Sequence, residues 1–297
     1  MTMKGKVALV TGATAGIGFH TAQALVTLGA RVVVTGRDTV RGEAAARQLA
    51  GRAWRDQVRF LAADHSTVAE NRALAEQLRG ELDRLDVLVN NVGSSPSGQR
   101  GQTPDGYETT LAVNFVGPAA LTTGLLPLLR QSAPARVVTL VSSAHTMWKR
   151  DPFEDLQTRQ RYVGIEAYAR AKLLSLLWTL ALARRLEGSG VVVNATNPGT
   201  AWTPGTQALT PQAVSAWRWV WPLVRWVQRR ASPEAAARSP VFLASAEETA
   251  AITGQYFESK GQPKRPSALA LDVSNQERAW ELAATLIASA PTVARPS

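Results

Sequence analysis

Short apolar runs alternate along the chain with longer segments in which apolar residues recur every three to four positions. The short runs are rich in β-branched residues and almost continuously apolar, a pattern typical of strands buried on both faces of a parallel sheet. They predict strands at 7–10, 31–35, 58–62, 87–90, 137–141 and 191–195. The longer segments predict helices at 18–28, 40–50, 68–82, 109–129 and 167–186.

This alternation predicts an α/β protein: a single Rossmann-type, doubly wound domain with a mostly seven-stranded parallel central sheet and helices on both faces. No repeat or linker divides the 297 residues, so one domain is expected over 1–297. Two irregular segments, about 147–164 and 200–231, are expected to be substrate loops, because ligands bind beyond the carboxyl ends of such strands. A C-terminal helix is expected at about 275–289.

Composition excludes several kinds of site. The chain has no cysteine, which excludes disulfides, thiolate metal sites and a cysteine nucleophile, and with three histidines no metal site is expected. The formal net charge is +10, but its arginines are scattered, so no nucleic-acid partner is expected. The first apolar run is too short for a signal peptide, and no apolar stretch is long enough to cross a bilayer. A cytoplasmic location is expected.

A glycine-rich segment follows the first predicted strand, with the sequence Thr11-Gly12-Ala13-Thr14-Ala15-Gly16-Ile17-Gly18. Glycine permits a tight turn and lets the backbone approach phosphate oxygens. The following helix offers free N–H groups and a favourable dipole to a pyrophosphate. The spacing differs from the common dinucleotide fingerprint, so a plain strand-to-helix turn is the alternative. We interpret the segment as a dinucleotide-binding turn.

The second predicted strand ends where a dinucleotide's adenosine would lie. Gly36 and Arg37 stand where an acidic residue would bind the ribose hydroxyls of NAD. Arg37 can instead pair with a 2′-phosphate, which favours NADP(H) over NAD(H). Asp38 follows immediately and could turn inward, which leaves NAD(H) as the alternative.

Tyr168 and Lys172 lie four residues apart in the predicted helix 167–186, and therefore on one face of it. An ammonium group beside a phenol favours the phenolate and is expected to lower the tyrosine pKa from its usual value of about 10. The phenol would then serve as proton donor and acceptor near neutral pH. Together with the glycine-rich turn, the pair predicts a nicotinamide-dependent oxidoreductase.

Six segments carry a more specific pattern: Thr11-Gly12-x-x-x-Gly16-Ile17-Gly18, Asn90-Asn91-Val92-Gly93, Asn114, Ser142-Ser143, Tyr168-x-x-x-Lys172 and Pro198-Gly199. In their order and intervals the chain resembles a classical short-chain dehydrogenase/reductase over essentially its whole length. Residues 141–145, 168–173, 183–186 and 278–282 resemble the retinol dehydrogenase and WW-domain oxidoreductase branch more closely. Two positions depart from the family: Val92 replaces the usual alanine, and Ala15 stands where NADP-preferring members often carry a basic residue.

The resemblance implies four catalytic residues. Tyr168 would be the acid/base, Lys172 would tune it and hold the nicotinamide ribose, and Asn114 would hold a relay water. Ser143 would bind the substrate oxygen, and it is chosen over Ser142 because the family uses the second serine of this pair. The structural alternatives are that Asn114 caps a helix turn and that the serines satisfy a strand end.

The resemblance also implies cofactor contacts outside the glycine-rich turn. Asp64 would contact the adenine amine, and Asn91 and Gly93 would line the adenosine ribose. Contacts with the nicotinamide or the phosphates are implied for Pro198, Gly199, Thr200 and Thr203. The alternative for Asp64 is an ordinary helix N-cap for the helix 68–82.

Tryptophans crowd the loop 200–231, at Trp202, Trp217, Trp219, Trp221 and Trp226. An apolar lid of this kind suits a bulky lipophilic carbonyl or alcohol, retinoid-, steroid- or long-chain-like. Substrate contacts are then expected at Ser143, His145, Trp148, Tyr168 and Trp202. A helix that contacts a membrane surface peripherally and a buried structural helix are the alternatives.

The expected function is an NADP(H)-dependent oxidoreductase that transfers a hydride between nicotinamide and the carbonyl or alcohol carbon of a lipophilic small molecule. One alternative is a ketoreductase acting on a polar metabolite or polyketide-type intermediate. A second, of a different class, is a non-catalytic NADP-binding regulator, which retention of the four implied catalytic residues disfavours. A homodimer through helices 109–129 and 167–186 remains open, because the segment 147–164 could obstruct that contact.

Overall fold

A single parallel sheet forms the centre of the molecule. The computed structural model describes residues 2–51, 57–207, 209–211, 213, 226 and 228–291. Within them the strands are β1 Val7–Val10, β2 Arg31–Gly36, β3 Val58–Ala62, β4 Val87–Asn90, β5 Ala135–Leu140, β6 Val191–Thr196 and β7 Tyr256–Phe257. All pair in parallel in the order β3-β2-β1-β4-β5-β6-β7. The predicted seven-stranded, doubly wound sheet is confirmed.

Helices cover both faces of this sheet. Their bounds are α1 Gly16–Thr27, α2 Thr39–Ala50, α3 Val68–Glu81, α4 Thr109–Gln131, α5 Gly164–Arg185, α6 Pro233–Ser245 and α7 Val273–Ser289. Residues of α1, α2 and α6 bury one face of the sheet in one apolar cluster, and those of α3, α4 and α5 bury the other face in a second. The expected C-terminal helix is present as α7.

Helix α4 is apolar enough to satisfy the length and hydropathy of a membrane span, but 72% of its most apolar window is buried inside the fold. Continuous apolarity here reflects packing against the sheet and neighbouring helices. The helix widens into a π-turn at Ala112–Val116, which contains Asn114. Such turns often occur at functional sites, because they redirect a side chain without ending the helix.

Helix α7 packs along the outer side of α5. The rings of Trp178 and Trp280 stack 6.1 Å apart at an interplanar angle of 8°, and the Arg185 guanidinium lies 4.4 Å from the Trp280 ring centroid. Glu277 pairs with both Arg184 and Arg185. Helix α7 therefore covers part of α5, one of the two helices considered above for pairing with a second copy.

The order of the strands places a crevice between β1 and β4, where chain connections leave in opposite directions. Ligands of open α/β sheets bind at this switch point, outside the carboxyl ends of the strands. The glycine-rich turn follows β1, Asn91 follows β4, and Ser142 follows β5. The fold thus gathers the predicted site residues at one edge of the sheet.

Candidate active site

The glycine-rich turn has the backbone of a phosphate cradle. Gly12 and Gly16 have φ values of +64° and +60°, in the left-handed region that favours glycine. A Cβ on Gly18 would overlap Asn91 Nδ2 and lie 2.7 Å from the Gly12 carbonyl oxygen, so α1 packs too closely for any side chain there. Ala15, the N-cap of α1, offers no side-chain cap, so no side chain there competes with a phosphate for the helix N-terminus.

Residues that follow β4 hold the glycine-rich turn in place. Asn91 Nδ2 donates to the carbonyl oxygens of Thr11 and Gly12, at 2.7 and 3.2 Å. The Thr11 hydroxyl accepts hydrogen bonds from the backbone N–H groups of Asn91 and Val92. Asn91 and Thr11 therefore fix the shape of the cradle, and a direct contact of Asn91 with the adenosine ribose stays a prediction.

At the end of β2, the two candidate charges have different surroundings. Asp38 is the N-cap of α2, and its carboxylate accepts hydrogen bonds from the backbone N–H and the Nε of Arg41. Those hydrogen bonds hold the pKa of Asp38 below its usual value. Arg37 is exposed, and within the described part of the chain it has no ion pair. Asp38 is thus committed to the helix, and Arg37 is available to an anion.

Asp64 follows β3 at the same edge of the sheet. Its Oδ1 accepts a hydrogen bond from the backbone N–H of Ser66 at 2.9 Å. The N-cap of α3 is Thr67, whose hydroxyl accepts from the backbone N–H of Glu70. The structural alternative considered for Asp64 is therefore wrong, and its contact with an adenine amine remains a prediction.

Tyr168 faces the end of β5 from the first half of α5. Desolvation raises the pKa of Tyr168, and a hydrogen bond from the Ser142 side chain opposes that rise. The expectation that Lys172 lowers this pKa is wrong for the protein alone, because burial acts against the charged form of both groups. Burial lowers the pKa of Lys172 to about 8.

The two serines after β5 have different local roles. Ser142 has an extended backbone, and its hydroxyl accepts a hydrogen bond from the Ala144 backbone N–H at 3.2 Å, which caps the 3-10 turn Ser143–Met147. Ser143 is the first residue of that turn and is exposed. The role of Ser143 as the residue that binds the substrate oxygen stays a prediction.

Lys172 and Asn114 meet beside Gly93. A Cβ on Gly93 would lie 2.9 Å from Asn114 Oδ1 and 3.3 Å from Lys172 Nζ. The Lys172 ammonium donates to the Leu140 carbonyl oxygen at 2.9 Å. Asn114 Nδ2 donates to Thr110 O and Ser94 Oγ, both at 2.9 Å, whereas its Oδ1 is buried without a partner among the described residues. A free acceptor beside an ammonium group fits a bound water or hydroxyl.

His145 and Trp148 do not form a substrate wall as predicted. His145 is fully buried, with its ring against Tyr256, so no face of it is open to a substrate. Trp148 is buried in the core, with the guanidinium groups of Arg150 and Arg170 4.8 and 5.2 Å from its ring centroid.

Arg170 anchors the segment 147–164 to α5. Its guanidinium donates to the carbonyl oxygens of Glu154, Asp155 and Leu156 at 2.7 to 2.8 Å. Asp155 and Thr158 have positive φ values of 39° and 46°, so this clamp holds a backbone that non-glycine residues rarely adopt. The predicted first loop is therefore held against α5.

The second predicted loop closes over the glycine-rich turn. Thr203 lies against Gly16, where a Cβ would come within 2.8 Å of Thr203 Cγ2, which fits the predicted contact of Thr203 with the phosphates. Gly199 has a φ of +81°, and Thr200 is exposed after Pro198. The Trp202 backbone N–H donates to the Ala231 carbonyl at 2.8 Å, which joins the two ends of the loop. Trp217, Trp219 and Trp221 lie outside the described residues.

Sequence reasoning missed two contributors to the site, the Leu140 carbonyl that holds Lys172 and the Ser94 hydroxyl that holds Asn114. A backbone carbonyl has no sequence signal. Ser94 directly follows the segment Asn90 to Gly93, so a polar residue one position beyond that motif was the available signal.

Comparison with known proteins agrees with this geometry. The family model described as short chain dehydrogenase matches residues 6–213. Retinol dehydrogenase 13 of Homo sapiens is 37% identical over 300 residues, which cover 98% of this chain and 88% of that protein.

Two solved structures are similar over nearly the whole fold. An uncharacterized protein from Mycobacterium paratuberculosis aligns with a TM-score of 0.75 and 30% identity, over 97% of this chain and 95% of that one. The NADP active-site complex of RhlG from Pseudomonas aeruginosa aligns with a TM-score of 0.67 and 29% identity, over 93% of this chain and 98% of that one.

Proposed function

Because the chain belongs to the short-chain dehydrogenase family, in the branch of the retinol dehydrogenases, we propose that it transfers a hydride between NADP(H) and the carbonyl or alcohol carbon of a lipophilic substrate. Membership of the family shows the general activity, that of an NAD(P)-dependent oxidoreductase. The proposal adds the choice of NADP(H), the kind of substrate and the roles of individual residues.

One observation carries the proposal: Tyr168, Lys172 and Asn114 converge at the sheet edge beside the glycine-rich turn, with Ser142 and Ser143 following β5 at the same edge. The buried, unpartnered Asn114 Oδ1 fits an ordered water, and the uncapped N-terminus of α1 after the glycine-rich turn fits a pyrophosphate. The cradle would hold the pyrophosphate, Arg37 the adenosine end, and Lys172 the nicotinamide ribose. When bound, the cofactor supplies or accepts the hydride.

In the direction of reduction, the substrate oxygen gains negative charge and then a proton. The Ser143 hydroxyl donates a hydrogen bond to that oxygen, and the Tyr168 hydroxyl donates the proton. Donors placed where charge develops stabilise the transition state more than the ground state. The raised pKa of Tyr168 keeps the phenol protonated at neutral pH, as an acid requires. Lys172 Nζ and a water on Asn114 Oδ1 would then return a proton to Tyr168.

Two features of the residues at the end of β2 support a preference for NADP(H) over NAD(H). Arg37 is an available cation at the end of β2, and Asp38 is occupied by Arg41. A guanidinium matches a phosphate geometrically and electrostatically. The departure at Ala15, where a second basic residue is often found, leaves Arg37 to carry most of the discrimination.

A lipophilic substrate is supported by the rim of the site and by the relatives. Met147, at the end of the turn that begins at Ser143, is 49% exposed although it is a large apolar residue. Trp202 lies half-buried at the base of the second loop, with the Arg229 guanidinium 5.8 Å from its ring centroid. The relative from Homo sapiens is named for retinol, a lipophilic alcohol.

Initial rates with NADPH and NADH test the proposal against aliphatic, aromatic, steroid and retinoid carbonyls, with Tyr168→Phe as the matched control. We expect turnover with NADPH that Tyr168→Phe abolishes and that is highest for apolar carbonyls. Preference for polar ketones would support the ketoreductase alternative. Tight NADPH binding without turnover would support the regulator and contradict the proposal.

Helix α7 also bears on assembly. Because it packs on α5 through Trp280 and Glu277, we infer that two copies do not pair through α4 and α5 in the manner considered from the sequence. Light scattering on the purified protein tests this inference, and a dimer that dissociates when exposed residues of α4 or α5 are substituted would contradict it.

A further inference from the structure

His65 lies at the centre of a buried chain of hydrogen bonds that the proposed hydride transfer does not use. Its Nε2 lies 2.7 Å from the Thr35 hydroxyl oxygen, and its Nδ1 lies 2.7 Å from Asn71 Oδ1. The Thr35 hydroxyl accepts a further hydrogen bond from the backbone N–H of Gly12, at 3.3 Å. The side chains of Thr35, His65 and Asn71 are all buried. The chain of bonds therefore runs from α3, past the end of β2, to the glycine-rich turn.

The partners fix the direction of each bond in this chain. Asn71 Nδ2 donates to the Thr67 carbonyl oxygen at 2.6 Å, so Oδ1 is the Asn71 atom that faces His65. An amide oxygen can only accept, so His65 Nδ1 carries the proton and Nε2 is the acceptor. Nε2 then accepts the Thr35 hydroxyl proton, and the hydroxyl oxygen remains able to accept from the Gly12 N–H. Burial lowers the pKa of His65, which favours this neutral form.

Thr35 receives the start of the glycine-rich turn through two hydrogen bonds. The Gly12 N–H donates to its hydroxyl, and the Ala13 N–H donates to its carbonyl oxygen at 3.1 Å. The carbonyl is fixed by the strand, whereas the position of the hydroxyl depends on the χ1 rotamer. The bond to His65 selects the rotamer that meets Gly12, because another rotamer would move the hydroxyl away from both partners.

The main chain around His65 is also held in place. Gly117 of α4 lies against it so closely that a Cβ there would be 2.1 Å from the His65 carbonyl oxygen. Asp64 directly precedes His65, and Arg37 lies two positions after Thr35. The segments predicted to bind the pyrophosphate, the 2′-phosphate and the adenine of a dinucleotide thus meet at one hydrogen-bond chain.

We propose that His65 is a positioning residue for the cofactor: through the Thr35 hydroxyl it fixes the glycine-rich turn relative to Arg37 and Asp64. The proposal rests on the proposed function, in so far as those three groups bind NADP(H). Both ring nitrogens of His65 are occupied and its side chain is buried, so it acts through Thr35 and not by contact with the cofactor. The affinity for NADP(H) should therefore depend on a residue that does not reach the dinucleotide.

Four substitutions separate the bonds of this chain. Thr35→Val keeps the shape of the side chain and removes the hydroxyl, whereas Thr35→Ser keeps the hydroxyl. His65→Leu removes both imidazole bonds, whereas His65→Gln places an amide oxygen near the position of Nε2. Thr139→Val is the matched control, because Thr139 is a buried threonine of β5 whose hydroxyl has no partner among the described residues.

The first test compares the affinity for NADPH, measured by fluorescence quenching, with initial rates. We expect His65→Leu and Thr35→Val to raise the Kd and the KM for NADPH about 5- to 20-fold, the usual effect of one hydrogen bond, and to leave kcat at saturating NADPH nearly unchanged. His65→Gln, Thr35→Ser and Thr139→Val should bind NADPH like the unsubstituted protein. In the Thr35→Val background, His65→Leu should have almost no further effect, because it acts through Thr35. Losses that multiply in the double variant, or an equal loss in Thr139→Val, would overturn the proposal.

A second measurement needs neither cofactor nor turnover. Hydrogen exchange of the Gly12 backbone N–H, followed by NMR, reports its bond to the Thr35 hydroxyl. We expect this exchange to become about 10-fold faster in Thr35→Val and His65→Leu and to stay near its original rate in His65→Gln. The Thr11 N–H, which donates to the Val89 carbonyl oxygen at 3.1 Å, is the internal reference for a general loss of stability.

The exchange rates separate failure of this proposal from failure of the proposed function. An unchanged Gly12 rate in His65→Leu, or an equal acceleration at Thr11, would overturn the role of His65. Failure of the unsubstituted protein to bind either NADPH or NADH would contradict the proposed function instead. The exchange rates would then still decide whether His65 holds the glycine-rich turn.

Discussion

The Asp38 carboxylate accepts hydrogen bonds from both the backbone N–H and the side-chain Nε of Arg41, at 2.9 and 2.8 Å. This pair begins α2 and turns the Asp38 carboxylate, at the end of β2, toward the helix. Arg37, one position earlier, keeps its charge available at the same edge. Because α2 uses Asp38 as its cap, Arg37 is the charge that remains available to a cofactor at the end of β2.

Substitution of Arg37 by Ala tests this relationship. We expect the KM for NADPH to rise about 10- to 100-fold, because one charge-assisted interaction with the 2′-phosphate is lost. The KM for NADH should change little, since that cofactor has no phosphate there. Arg47→Ala removes the same charge from the exposed face of α2 and should leave both constants unchanged. Equal weakening of both cofactors in Arg37→Ala would contradict the assignment.

The two serines after β5 make a second, sharper test. Ser143→Ala should lower kcat about 100- to 1,000-fold, the usual cost of removing one donor to a developing oxyanion. Ser142→Ala should retain most of its activity, because the Ser142 hydroxyl is held by the Ala144 backbone N–H as the cap of the turn. The assignment fails if Ser142→Ala is the inactive variant.

The sequence predicted the sheet, the cradle and the Tyr168–Lys172 pair because each depends on local pattern. Continuous apolar runs specify strands, glycine spacing specifies the turn, and a separation of four specifies one helix face. Local pattern does not decide between Ser142 and Ser143, because that choice depends on register. A shift of one residue at the end of β5 exchanges Ser142 for Ser143, and a motif of two identical residues cannot report that shift.

His145 and Trp148 were misjudged for a related reason. Both types are common in substrate pockets, and both follow the catalytic serines directly. Their burial depends on contacts made by residues far away in the chain, Ser267 and Tyr256 for His145 and Arg170 for Trp148. Strand β7 was likewise not located, because two residues are too few for a periodic pattern.

Close packing between α1 and the turn after β4 makes Gly18 sensitive to a single methyl group. We expect Gly18→Ala to weaken NADPH binding strongly and to lower the free energy of unfolding by about 1–3 kcal/mol, because its Cβ would overlap Asn91 Nδ2. Gly80→Ala is the matched control, since no atom lies within 4 Å of its Cβ position in α3. That variant should be neutral or more stable by about 0.5–1 kcal/mol. Fluorescence quenching by NADPH and urea unfolding measure the two effects.

The C-terminal helix depends on one aromatic pair. Trp280 stacks on Trp178 and carries the Arg185 guanidinium on its ring, so Trp280→Ala should lower the free energy of unfolding by roughly 2 kcal/mol. Trp226 is 55% exposed with Arg230 over its ring, and Trp226→Ala should cost well under 1 kcal/mol. Chemical denaturation compares the two variants, and similar losses from both would show that α7 is not held by the stack.

From the lowered pKa of the buried Lys172 we predict how the free energy of unfolding varies with pH. Its pKa in the folded protein is about 8, lowered by burial from 10.5. The unfolded chain therefore binds this proton more tightly than the folded one, and stability rises with pH between the two values. Below about pH 8 the folded protein carries the full cost of a buried ammonium group. Above pH 10.5 neither state is charged at this position, and the cost disappears.

Comparison with Lys172→Met isolates this contribution, because every other titrating group is common to both proteins. We expect the unfolding free energy of the unsubstituted protein, relative to that of Lys172→Met, to increase by roughly 2–3 kcal/mol between pH 7 and pH 10. Urea unfolding at the two pH values, followed by tryptophan fluorescence, measures the difference. A relative stability that stays constant or falls with pH would show that Lys172 keeps an ordinary pKa, and that the Leu140 carbonyl compensates its burial completely.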